Sequence, residues 1–195
     1  MLDKAYLALI AQKFTGNNNR GVGFESDIKA IEDIRPLLST KDNIQVVTST
    51  MSGIDNSAYV NIANDIQDML YYVQAVGKLL THTFTLTLIS HESAKNFMQT
   101  STNVPWIKQP VGYMESGKLI ILYDPISKNR PNTLNITYIK KPKSFESNLN
   151  NKATVDFELN DSMVEELINL AIIMTLETVE SSRLKTKLNL SSLES

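Results

Sequence analysis

The sequence holds no cysteine, two histidines and one tryptophan in 195 residues. Without thiols there are no disulfide staples and no thiolate metal ligands, so stability must come from packing or from neighbouring subunits. The histidines offer little chemistry. His91-Glu92 is followed one helical turn later by Lys95, where a zinc-protease motif needs its second imidazole. His82 sits at an apolar position of a threonine-rich stretch and reads as a core or interface histidine. Gly21-Val22-Gly23 has Ser26 in place of the third glycine of a dinucleotide fingerprint, and no strand signal precedes it. Asp124, Asp156 and Glu158 show no spacing that separates them from solvated strand-end charges. The expectation is a chain with no catalytic, cofactor or metal site, not an enzyme.

Charge of one sign is scarce too. Lys and Arg total 19 against 21 Asp and Glu, a net charge of -2, which provides no general field for a phosphate backbone. No window reaches the run of about 18 apolar residues that a membrane span needs. Met1-Leu2-Asp3-Lys4-Ala5 is not a basic stretch leading into an apolar one, so the chain is expected to be soluble and to carry no signal peptide.

What is present is a 42% hydrophobic composition, enough for one sizeable core, and the reading is a single α+β domain over 1–195. Helices are expected over 1–40: Leu2, Tyr6, Leu9, Ile10 and Phe14 recur at helical spacing, and Phe24, Ile28, Ile31, Arg35 and Leu38 follow Ser26 as N-cap. Pro36 ends or kinks the second helix because it cannot donate to Glu32. A β-rich region spans 44–160. Its strands are expected at Ile44–Thr48, Met69–Val76, Thr81–Leu88, Leu134–Tyr138 and Ala153–Asn160, with a short helix at His91–Met98. Val111–Met114, a Ser116-Gly117 turn and Leu119–Tyr123 form a hairpin signal. Lys140-Lys141-Pro142-Lys143 has the chemistry of a sheet edge, and these lysines are also candidate contacts to DNA or a channel lumen.

The most apolar segment is the helix expected over 161–181, opened by a Ser162–Glu165 capping box. One stripe, with Val164, Leu167, Ile168 and Ala171, faces the core, yet Leu170, Ile172, Ile173 and Leu176 spread apolar surface around the circumference. Burying three or four surplus aliphatic side chains contributes on the order of 5 to 10 kcal/mol before entropy costs. Either a neighbouring subunit covers them or the helix is central and wrapped by its own chain. In the tail, 182–195, Leu184, Thr186, Leu188 and Leu190 alternate with Arg183, Lys185, Lys187 and Asn189, as in a strand added to a neighbour. Trp106, near Pro105 and Pro110, is a further candidate anchor, or else part of a local mini-core.

Gly23-Phe24-Glu25-Ser26, Ile34-Arg35-Pro36-Leu37-Leu38, Tyr138-Ile139-Lys140-Lys141-Pro142-Lys143, Phe157-Glu158-Leu159 and Leu176-Glu177-Thr178-Val179-Glu180-Ser181 occur in an order that resembles the neck or tail-barrel ring proteins of crAss-like bacteriophages. The layout is similar, more distantly, to the tail tubular adaptor proteins of short-tailed phages. Asn160 and Ser182 stand where that pattern has proline. The resemblance implies a virion protein without enzymatic activity or cofactor, assembled in the host cytoplasm. It further implies a ring of about twelve copies that links portal to tail, touches other neck proteins and the passing genome, and does not touch membrane. The second reading is an intracellular domain that binds nucleic acid or a small ligand through its basic loops.

Overall fold

The computed structural model describes residues 2–15, 28–48, 56–79, 81–94, 109–124, 130–145 and 157–193, with the backbone alone at 28, 162 and 181–193. The fold is α+β. Where the sequence reads as one domain, the backbone divides into two compact units, Leu38–Lys141 and the pair of segments Met1–Leu37 and Pro142–Ser195.

The first of these is built from two sheets. A four-stranded antiparallel sheet has the order β1-β9-β4-β5, and a five-stranded mixed sheet the order β2-β3-β8-β7-β6. The strands are β1 (Leu38–Gln45), β2 (Val47–Thr48), β3 (Ser57–Asn61), β4 (Met69–Leu79), β5 (His82–Thr85), β6 (Thr87–Leu88), β7 (Val111–Glu115), β8 (Lys118–Leu122) and β9 (Thr133–Lys140). Ala75, Phe84, Leu134 and Ile136 from one sheet join Val60, Leu119 and Ile121 from the other in a single buried cluster. Period-two alternation places these residues on the facing sides. Tyr113, Ile120 and Leu122 form a second cluster, so the β7–β8 hairpin is buried on both faces. Its turn is the expected one, with Ser116 and Gly117 at φ 49° and 73°. A pair of positive φ angles matches the twist of the flanking strands.

Three expectations are corrected in this unit. The strand at Thr81–Leu88 breaks at Leu86, where the chain passes from one sheet to the other: β5 pairs with β4, and β6 runs parallel to β7. Leu86 is buried at the crossing, its N–H donating to the Ala75 carbonyl at 2.8 Å, while His82 is exposed and not a core residue. β1 begins at Leu38, so the position expected to end a helix starts a strand. The Lys-Pro exit does not mark a sheet edge. β9 lies between β1 and β4, and Lys140 is paired with Met69; the exit ends an interior strand, after Lys141 N–H has donated to the Asp68 carbonyl at 2.6 Å.

The second unit is helical. It contains α1 (Leu2–Thr15), α2 (Ile28–Ile34) with a 3-10 turn at Arg35–Leu37, and a last helix, α4 (Ser162–Leu193); α3 (Ile62–Asp65) is a single turn after β3 in the sheet unit. Ala5, Tyr6, Leu9 and Ile10 of α1 are buried, as are Met163, Leu167 and Ala171 of α4. The Lys13 ammonium lies 3.0 Å from the Asp33 carboxylate and 2.9 Å from that of Glu166, which ties α1, α2 and α4 together. Burial works against the charge on Lys13, but the hydrogen bonds and fields of Glu166 and Asp33 outweigh it and hold its pKa above 10.5. Asp3 accepts from the Ser144 hydroxyl and, at 2.8 Å, from the Phe145 N–H. The Tyr6 ring lies 5.5 Å from that of Phe145 and 5.4 Å from that of Phe157.

Phe157–Asn160 is irregular and not the end of a strand; Ala153–Asp156 lie outside the described residues. The larger correction concerns the C-terminus. Residues 182–193, expected to be extended, continue α4 without a break to Leu193. Leucines at 184 and 188 satisfy the helical spacing as well as the alternating one, and an uninterrupted helix of 32 residues favours propagation over a new start.

Candidate assembly surface

α4 has two unlike faces. Met163, Leu167 and Ala171 point into the helical unit, and Leu170 and Met174 are half-buried beside them. On the other side Ile168, Ile172, Leu176 and Val179 are 47%, 51%, 55% and 41% exposed, and Ile173 is 52% exposed. Positions 168, 172, 176 and 179 fall on one stripe of a 3.6-residue helix. The expectation placed Ile168 with the inward stripe; the structure turns it outward, because the buried face is centred on Met163, Leu167 and Ala171. The i, i+4, i+8 spacing of Ile168, Ile172 and Leu176 was the signal for this face.

Leu2, at the start of α1 and 43% exposed, joins this stripe. With Ile168, Ala171, Ile172, Thr175 and Leu176 it lines an open groove of about 320 Å³. The Thr175 hydroxyl donates to the Ala171 carbonyl at 2.7 Å, so the one hydroxyl in the lining is already engaged with its own helix. A lining this apolar offers a ligand shape and hydrophobic contact, with no group to move a proton or hold a charge.

Of the other candidates, Leu184, Leu188 and Leu190 lie on the final turns of α4, where only the backbone is described, and Trp106 lies outside the described residues. Phe24, Ser26, Gly21 and Gly23 lie outside them too. Lys140 is half-buried, and Lys141 and Lys143 are exposed. Lys143 is engaged by Glu158, whose carboxylate accepts from its backbone N–H at 3.0 Å and lies 3.9 Å from its ammonium. The three lysines thus differ in burial and in engagement.

His91 opens the helical turn at 91–94, with Nε2 3.5 Å from a Glu115 carboxylate oxygen and its ring edge-on to Tyr113 at 5.4 Å. Among the described residues, no three His, Cys, Asp or Glu side chains gather as a metal site would require, and no helix is long and apolar enough to cross a membrane. No family model matches the chain, and no curated protein matches it in sequence.

Proposed function

We propose that the chain is a structural protein of a phage virion, without enzymatic activity, that forms a ring in the head-to-tail connector or tail barrel. In this reading it links portal to tail and surrounds the path of the genome. The observation that carries the reading is the outward stripe of α4: four large aliphatic residues on one face, plus Ile173 beside them, remain in water in the single chain. Burying them contributes about 1.5 to 3 kcal/mol for each side chain fully covered. A contiguous apolar face on an ordered helix fits a protein–protein contact. In a ring such a contact joins unlike patches of neighbouring copies, and the ring forms where the rotation between copies closes. The order of sequence segments, which resembles that of neck or tail-barrel ring proteins, supports the same reading.

The test is the mass of the purified chain alone and mixed with a candidate portal, followed by electron microscopy of the larger species. Rings with a central channel are the expected result. A chain that stays monomeric at all concentrations, with and without portal, rules the reading out.

A further inference from the structure

The groove on α4 is open and apolar, and the same helix carries a segment whose charge and spacing fit it. From Ser162 to Glu180 the helix has four acidic residues, Glu165, Glu166, Glu177 and Glu180, and no basic one. From Ser181 to Leu193 it has three basic residues, Arg183, Lys185 and Lys187, and no acidic one. Glu165, Glu177 and Glu180 are exposed, one before the groove residues and two after them along the helix. The basic segment also carries Leu184 and Leu188 one turn apart, the spacing with which a helix lays an apolar face into a groove.

Groove and basic segment lie on one unbroken helix. At 1.5 Å per residue, Leu176 and Leu188 are about 18 Å apart along its axis. The segment therefore cannot fold back into its own groove, and only another chain can bring it there.

We propose that the apolar, acid-flanked groove of α4 receives the basic end of α4, residues 183–193, from a second copy of the chain. This rests on the ring reading and specifies its contact: each copy offers one groove and one basic helix end, two unlike patches that a head-to-tail arrangement repeats around a ring. Leu184 and Leu188 supply the apolar side, and Arg183, Lys185 and Lys187 answer the glutamates and set the register.

Charge exchange between full-length chains tests it. One variant carries Arg183→Glu, Lys185→Glu and Lys187→Glu, and the other Glu177→Lys and Glu180→Lys. Each variant alone pairs like charges, so its self-association, followed by sedimentation, is expected to weaken at least about tenfold relative to the wild-type chain. Mixed one to one, every groove meets a helix end of opposite charge, and assembly is expected to return to within about threefold of wild type. Within-helix charge pairs are altered in both variants and are not repaired by mixing, so recovery reports only contacts between chains. Circular dichroism checks that each variant is folded. The absence of native cysteine permits a second measurement: Leu176→Cys chains mixed with Leu188→Cys chains should form a disulfide-linked dimer that neither forms alone. Assembly of either charge variant at the wild-type level, a mixture that stays dissociated, or no cross-link overturns the inference while a wild-type ring leaves the ring reading standing. A wild-type chain that never assembles overturns both.

Discussion

The side-chain amide of Asn160 donates to the backbone carbonyl of Glu32 at 3.0 Å. In a continuous helix that carbonyl would accept from the N–H four residues on, but that residue is Pro36, which has none. Asn160, two positions before the start of the last helix, thus supplies the donor that α2 lacks, and it bridges two segments 128 positions apart in sequence. Asparagine can do this, where a residue without a side-chain donor cannot.

Asn160→Ala is expected to lower unfolding free energy by about 1 kcal/mol, the net worth of an ordinary hydrogen bond. In a Pro36→Ala background the cost should shrink, because residue 36 then has an N–H to offer Glu32. A double-mutant cycle by urea denaturation measures the difference, and strict additivity would show that the two residues do not share that carbonyl.

Lys13 gives the helical unit an alkaline limit. Its folded pKa is raised, so the folded state binds the proton more tightly than the unfolded chain. The stabilisation is complete below the ordinary value of 10.5 and is lost as pH rises through the folded value. Lys13→Met leaves Asp33, nearly inaccessible, without its cation and should cost about 3 kcal/mol at pH 7. The gap between wild type and variant should narrow above pH 10.5. A gap that stays constant from pH 8 to 12 contradicts the role given to the ammonium.

Tyr72 makes a separate alkaline contribution in the sheet unit. Burial pushes its hydroxyl up to about 12, against a small opposing pull from the Ala75 backbone. Among the described residues the buried hydroxyl has no partner at full hydrogen-bond geometry, and the Ala75 backbone acts on it only as the lesser influence. Removing a buried, unmatched polar group relieves its desolvation cost, so Tyr72→Phe should be neutral or stabilising by up to about 1 kcal/mol at pH 7. The wild-type tyrosine ionises more readily unfolded than folded, so the wild type loses stability as pH rises from 10 towards 12. The phenylalanine variant lacks that loss, and thermal melts at pH 8 and pH 11 compare the two.

Elements whose pattern is set locally were legible in the sequence, and those set by distant neighbours were not. α1 has apolar residues at helical spacing, and the β7–β8 turn has the Ser-Gly pair that accepts positive φ; both appear as expected. β3 escaped notice because Ser57 and Ala58 are both buried in a strand covered on both faces, which erases alternation. The Lys-Pro exit looked like an edge because proline and charge protect edges, yet the pairing of β9 is complete before Pro142 is reached. At the candidate assembly surface, the sequence showed that α4 carries surplus apolar residues. Which of them face outward depends on where α1 lies, and no local pattern encodes that.

Gly112, in β7, leaves no room for a side chain beside β8. A Cβ there would lie 2.7 Å from the Ile120 carbonyl oxygen and 2.9 Å from a Leu86 methyl. The side chain of Leu86 can turn aside, but the backbone oxygen belongs to the paired strand and cannot. Gly112→Ala is expected to destabilise the chain by about 1 to 3 kcal/mol, as overpacking does, with the urea midpoint as readout. An unchanged midpoint would mean that β7 and β8 separate at no cost.

The outward residues of α4 separate folding from assembly. In a helix wrapped by its own chain, an aspartate at position 172 or 173 would be a buried unpaired charge and would unfold the protein. Both positions are about half exposed, so the carboxylate keeps its hydration. Ile172→Asp and Ile173→Asp are therefore expected to change monomer stability by no more than about 1 kcal/mol. Leu167→Ala, on the buried face, should cost about 2 to 5 kcal/mol. Sedimentation should give the opposite ranking, with both aspartate variants failing to assemble and Leu167→Ala assembling wherever it remains folded. Assembly at the wild-type level by the two aspartate variants would remove α4 from the proposed contact.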